Sequence, residues 1–248
     1  MLAEFAPRPA TGRIVTATRR VGLGDTRPDG RVRLDALARF FQDVADEDAV
    51  SAAVGAGAWV LRRLTVRVHR TPRFRANVTL STWCSGSGPR WAERRTDMVV
   101  DDEMAVEAVA LWVHVDPGRG VPTRLPREFA SVWGTTAGGR RVSARLVHDA
   151  PPTHARREPW PLRAADLDVL GHVNNAAYFA PVEEELARRG APRVGWAQIE
   201  FRSGIEPAEP VELRVADRDG GFALWLTVHE DVRASALVGS ARPGGTSA

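Results

Sequence analysis

The chain has 248 residues, 44% hydrophobic and 26% charged, with a formal net charge of +3. That is the balance of an ordinary soluble globular protein, and too little charge to argue for nucleic acid. No run approaches the roughly 18 apolar residues of a membrane span. The N-terminal stretch around Glu4 lacks the positive charge and apolar core of a secretion signal, so a cytoplasmic protein is expected.

Cys84 is the single cysteine, which excludes an internal disulfide and any multi-cysteine metal site. Lysine is absent and every basic residue other than histidine is arginine, which removes Schiff-base chemistry. The histidines show no metal-ligand spacing, so no metal or cofactor is expected.

In chain order, Gly12 to Gly22 reads as a strand. Leu34, Leu37, Phe41 and Val44 then recur at helical spacing, giving one apolar stripe for a core. Leu64, Val66 and Val68 alternate with Arg63, Thr65 and Arg67, which predicts a strand with one buried and one wet face. Strand-like runs follow at Val78 to Ser81, Trp91 to Val100 and Ala105 to Val115. From Val50 to Ala92 there is no acid, while Arg62, Arg63, Arg67, Arg70, Arg73, Arg75 and Arg90 fall there. This stretch is either a basic surface for an acidic partner or a strand face whose acids come from elsewhere in the fold.

Pro117 to Gly139 is rich in Gly, Pro and Arg and reads as a connection, with a short helix around Arg127 to Val132. The second half repeats the first. Strand-like residues precede Asp166, and a helical stretch runs from about Asn175 to Arg189. Alternating runs follow at Ala197 to Phe201, Val211 to Val215, Phe222 to Val228 and Val232 to Val238. Pro181 is expected to kink the second helix by removing its bond to Ala177. Strand, helix and antiparallel meander, twice over, predict an α+β chain of two helix-wrapped sheets. The expected division is 1–116, a linker at 117–140, and 141–248.

The chemistry concentrates in Asp166-Leu-Asp-Val-Leu-Gly-His-Val-Asn-Asn-Ala-Ala-Tyr178. Asp168 and His172 are types used in acid–base catalysis, and Gly171 between them permits a tight turn. Asn174 and Asn175 are good N-caps, so a helix starts here and presents unpaired backbone N–H groups to a carbonyl. The alternative is structural: Asp168 and the asparagines cap a turn and His172 is satisfied in the core.

This segment resembles the D-x-D-x-x-G-H-V-N-N-x-x-Y signature of hotdog-fold thioesterases, and more closely the C-terminal hotdog of acyl-ACP thioesterases. Trp59-Val-Leu-Arg-Arg-Leu64, Pro72-Arg73 with Thr79 to Trp83, Pro122-Thr-Arg-Leu-Pro126 and Ile199-Glu-Phe-Arg202 resemble other segments of that family, in order along the chain. The resemblance implies a double hotdog that hydrolyses the thioester of fatty acyl carrier protein, ending chain growth in fatty acid synthesis. It implies Asp168 as the carboxylate that activates water or attacks, His172 and Asn174 beside it, and oxyanion donors around Gly171 to Val173.

The sequence departs from that family at two places. Leu170 stands where close relatives carry a catalytic Asn, and Gly204-Ile205 where plant members place Glu-Cys, leaving Glu206 as the nearby acid. Trp59, Trp83 and Tyr178 are candidate acyl-site residues, and Arg67 and Arg70 candidates for contact with the carrier protein. An acyl-CoA thioesterase and a non-catalytic acyl-thioester-binding hotdog are the alternatives. Monomer and homodimer both remain open. Of Glu183, Glu184 and Glu185, adjacent on the second helix, at most two can face one site.

Overall fold

A computed structural model describes residues 5–54, 58–190 and 193–240. The first half supplies β1 (Val15–Arg20), α1 (Leu34–Ala52), β2 (Ala58–Val68), β3 (Asn77–Ser87), β4 (Trp91–Val100) and β5 (Glu103–Val115). The connection carries α2 (Phe129–Ala137). The second half supplies β6 (Arg156–Pro159), α3 (Ala180–Arg188), β7 (Trp196–Phe201), β8 (Val211–Arg218), β9 (Gly221–Val228) and β10 (Asp231–Gly239).

These strands form one antiparallel sheet in the order β1-β3-β4-β5-β2-β7-β10-β9-β8-β6. The order is a mirror about its centre: each half places its second strand innermost and its first outermost. β2 and β7 join the halves, with Arg63 opposite Glu200 and Thr65 opposite Gln198. That pairing covers an edge of each half that would otherwise be open to association. The architecture is an α+β double hotdog, with α1 and α3 packed on the concave face.

α1 buries the predicted stripe of Leu34, Leu37, Phe41 and Val44 against Leu61, Leu64, Val66, Val78 and Leu80. The second helix begins as a 3₁₀ turn, Asn175–Phe179, and continues as α3. Pro181 does not kink it. It sits in the first turn of α3, where its missing N–H removes no helical bond.

The predicted wet face of β2 is also corrected. Thr65 is buried and accepts a hydrogen bond from Gln198 Nε2 at 2.7 Å. The segment after α2 crosses the convex face of β2, β7 and β10. Glu200, fully buried, accepts the Val147 and His148 N–H groups, while the His148 ring reaches Ser235 and Gln198 at 2.9 Å each. Burial pushes the His148 imidazole below its usual range, so its protonated form is disfavoured.

Candidate active site

Asp168 to Asn175 forms a closed turn at the entry to the second helix. Asp168 N–H donates to His172 O at 2.9 Å, and Asn174 N–H to Asp166 O at 2.8 Å. Asp166 is buried and anchors the preceding strand end, with its Oδ2 accepting the Arg163 N–H at 2.8 Å. Gly171 donates its N–H to Asp168 O at 3.0 Å with φ +77°, a conformation that L side chains rarely adopt. Asn174 caps the helix, its Oδ1 accepting the Ala176 N–H at 2.9 Å.

Asp168 serves this turn with one oxygen only. Its Oδ1 accepts the Leu170 N–H at 2.9 Å and the His172 N–H at 3.3 Å. Its Oδ2 takes no hydrogen bond among the described residues. So the capping reading holds for half of the carboxylate, and the other half stays available. His172 is exposed rather than satisfied in the core, and its ring makes no ion pair with Asp168 or Glu206. The expected oxyanion donors need correction at two positions. The Gly171 and His172 N–H groups are consumed by Asp168, because closing so tight a turn requires them. The Val173 and Asn175 N–H groups remain without an acceptor in the turn.

Behind the turn, a cavity of ≈ 20 Å³ runs between α1 and the first-half sheet. Asn175 and Ala176 are its lining residues from the second half, and Ala38 and Ala45 on α1 and Ala108 and Ala110 on β5 also line it. Four small residues on facing elements leave the gap. Its present volume suits about one water, so an acyl chain requires α1 to separate slightly from the sheet.

Gln42 lines the same cavity and was not singled out from sequence. The internal repeat identifies it. The turn preceding α1 runs through Asp25, Arg27, Gly30 and Leu34 with the spacing of Asp166, Asp168, Gly171 and Asn175. In that spacing Gln42 is the counterpart of Glu183. Glu183 Oε1 accepts the Leu34 N–H at 2.6 Å, and its Oε2 pairs with Arg27 at 2.6 Å. Gln42 thus occupies on α1 the position from which its counterpart addresses the opposite helix start. Among the described residues the side chains of Gln42 and Asn175 make no hydrogen bond.

The other candidates are placed as follows. Glu206 is exposed in the loop after β7, and its backbone N–H is held by Glu209 Oε2 at 2.8 Å. Tyr178 is buried edge-on against Phe201 at 5.1 Å, and burial pushes its hydroxyl up to about 12, so it stays neutral. Trp59 lies under α2 with Phe129 and Trp133, beyond the cavity rather than on its wall. Trp83 cannot line a tunnel between helix and sheet. It faces the convex side, its indole beneath Arg95 at 5.5 Å, because Leu80, Thr82 and Cys84 take the inward positions of β3. Cys84 is buried, donates to Gly86 O, and is pushed up to about 11 by burial, which makes it a poor nucleophile.

Three arginines of the arginine-rich stretch obtain acids from neighbouring strands. Arg67 pairs with Glu107 at 3.2 Å, Arg70 with Glu103 at 3.4 Å, and Arg63 lies 3.7 Å from Glu200. Arg67 and Arg70 therefore do not form an unpaired basic surface. Glu183 and Glu185 are also committed, Glu185 to Arg156, Arg188 and Arg189, while Glu184 is exposed. Among the described residues no group of three or more His, Cys, Asp or Glu is arranged to hold a metal. No described helix is long and apolar enough to cross a membrane.

Comparison with known proteins places this geometry. A model of the acyl-ACP thioesterase N-terminal domain matches residues 15–133, and one of the acyl-ACP thioesterase C-terminal domain matches residues 150–212. An uncharacterised protein of Mycobacterium tuberculosis is 28% identical over 93% of this chain and 94% of its own. The chloroplastic oleoyl-acyl carrier protein thioesterase of Coriandrum sativum is 27% identical over 52% of this chain and 38% of its own. The 12:0-ACP thioesterase of Umbellularia californica has the same fold, with a TM-score of 0.78 at 19% identity, over 93% of this chain and 98% of that one.

Proposed function

Since the chain belongs to the acyl-ACP thioesterase family, we propose that it hydrolyses the thioester of acyl carrier protein and releases the free acid in the cytoplasm. One observation carries the reading: the uncommitted Oδ2 of Asp168 stands at a helix start whose Asn175 and Ala176 line the alanine-rich cavity.

In this reading the acyl chain enters between α1 and the sheet, and the thioester carbonyl rests at the helix start. Asp168 Oδ2 takes a proton from water as the water attacks the carbonyl carbon. The negative charge that develops on the carbonyl oxygen meets the Val173 and Asn175 N–H groups and the positive end of the helix. The C–S bond breaks, and the carrier's sulfur leaves with the proton that Asp168 took from the water, which restores the carboxylate. Gln42 supplies an amide from the first half where Leu170 supplies none. His172 flanks the approach and orients the reacting groups.

Leu170, together with the lack of contact between the His172 and Asp168 side chains, favours a second reading, an acyl-thioester binder without turnover. Release of fatty acid from a panel of acyl-ACPs separates the two. The enzyme reading expects release that falls about 10²- to 10⁴-fold in Asp168→Ala. Binding without release in the wild type would leave the binder.

A further inference from the structure

A chamber for a plain fatty acyl chain has apolar walls, with few polar groups beyond the reacting end. The cavity behind Asp168 has a polar strand-side wall. Its lining on β2 is Leu61 and Leu64, but across β5 and on to β4 it meets Trp112, Arg94 and Thr96. Arg94 is opposite Ala110 in the β4–β5 ladder and Thr96 opposite Ala108, while Trp112 sits two positions beyond Ala110 on the same face. Residues so related lie within reach of one another across a strand pair.

Each of these groups keeps hydrogen-bonding capacity in reserve. Trp112 Nε1 is buried and has no acceptor. An indole N–H is a donor only, so it needs an acceptor brought into the cavity, and an oxygen supplies one. Arg94 commits Nη1 alone, to Asp48 at 2.6 Å and Thr82 at 3.4 Å. Thr96 donates its O–H to Thr82 at 3.0 Å, which leaves its oxygen able to accept. Buried Asp48 is shared by Arg94, by Arg13 and by Trp133 Nε1, the last at 2.9 Å. The wall therefore offers donors to an oxygen acceptor.

Reading the site as that of a thioester hydrolase, we infer that the acyl chain this chamber selects carries a hydroxyl or oxo group toward its distal end. Such an oxygen accepts from Trp112 and Arg94, and a hydroxyl also donates to Thr96. A methyl-ended chain of equal length leaves the Trp112 donor buried and unpaired. Sites built to bond a substrate oxygen discriminate strongly against the analogue that lacks it.

The test compares carrier protein loaded with octanoyl, β-hydroxyoctanoyl or ω-hydroxyoctanoyl groups. Two readouts are needed: kcat/KM for release by the wild type, and affinity for Asp168→Ala by calorimetry. The ω-hydroxy chain is expected to be preferred over the plain chain by about tenfold or more in one or both readouts. The preference should shrink in Trp112→Phe and, independently, in Thr96→Val. Equal handling of the plain and ω-hydroxy chains in both readouts overturns the inference, as does a preference that survives both substitutions. Discrimination in binding without release from any chain would uphold the distal oxygen while sinking the hydrolase reading, so the two fail separately.

Discussion

At the entry to α1, Asp25 Oδ2 takes the Gly22 N–H at 2.8 Å, Arg27 N–H reaches Arg31 O at 2.8 Å, and Gly30 adopts φ +76°. At the entry to the second helix, Asp166, Asp168, His172 and Gly171 repeat these bonds, with φ +77° at the glycine. The backbone is the same device twice. The side chains that face the opposite helix are not. Where the second turn carries Asp168, the first carries Arg27, and where the second is faced by neutral Gln42, the first is faced by Glu183. The first turn is thereby closed by an ion pair whose carboxylate also caps α1, since the Arg33 side chain at that cap position accepts none of the helix N–H groups. The second is left open toward the cavity. On the proposed function, a duplicated fold keeps one turn for chemistry and uses the other for stability.

The most severe test of that division substitutes the two equivalent positions separately. Asp168→Asn should lower release about 10²- to 10⁴-fold with little change in the denaturation midpoint, because its amide oxygen still accepts the Leu170 and His172 N–H groups. Arg27→Ala should show the reverse pattern, a lower midpoint and near-normal kcat. If both substitutions cut kcat alike, the turns are not divided as described.

Glu183→Ala comes next. It removes the acceptor for the Leu34 N–H and the partner of Arg27, and should cost about 1–3 kcal/mol in urea unfolding. Full stability in that variant would mean that α1 finds another cap.

Gln42→Leu probes the same helix-facing position on the other side. It should lower kcat about tenfold with a smaller change in KM, and Gln42→Glu, which retains an acceptor, should recover part of the loss. Loss of KM alone would make Gln42 a wall residue rather than a positioning one.

Where local periodicity decides burial, the sequence was a sound guide: α1's stripe and the alternation of β2 on its concave side both follow from residue spacing. It misled on the convex face. Thr65, Gln198 and Glu200 are polar and buried because residues 143–149 of the same chain lie across them. Nothing near Thr65 announces a strap from so far along the chain. Trp83 was misplaced for a similar reason: an aromatic on a strand reads as core whichever face it occupies, and here Arg95 covers it from outside. The turn at Asp168 was legible as a turn, since Gly171 and Asn174 have local jobs. Gln42 was not, because its neighbours at the site come from the other half. Only alignment of the two halves, position against position, gives it away.

The smallest expected effect concerns Leu170. It is 74% exposed, so replacing it costs little stability. Its counterpart in the first turn is Asp29, whose Oδ1 accepts the Arg31 N–H at 2.9 Å. In the second turn the equivalent donor, the His172 N–H, must use Asp168 Oδ1 instead, at 3.3 Å, the longer of the two bonds that oxygen accepts. Leu170→Asn introduces an amide oxygen where Asp29 has its carboxylate oxygen, so it can relieve Asp168 of that donor and provide an N–H toward the carbonyl side. A rise in kcat of a few-fold, with unchanged KM and unchanged stability, is the expected result. The double variant with Gln42→Leu sharpens it. If the two amides serve one purpose, the gain from Leu170→Asn should be larger when Gln42 is gone; if they act independently, the effects should simply multiply. A gain absent from both backgrounds would mean that the tip of this turn points away from the thioester, and that Asp168 works without an amide beside it.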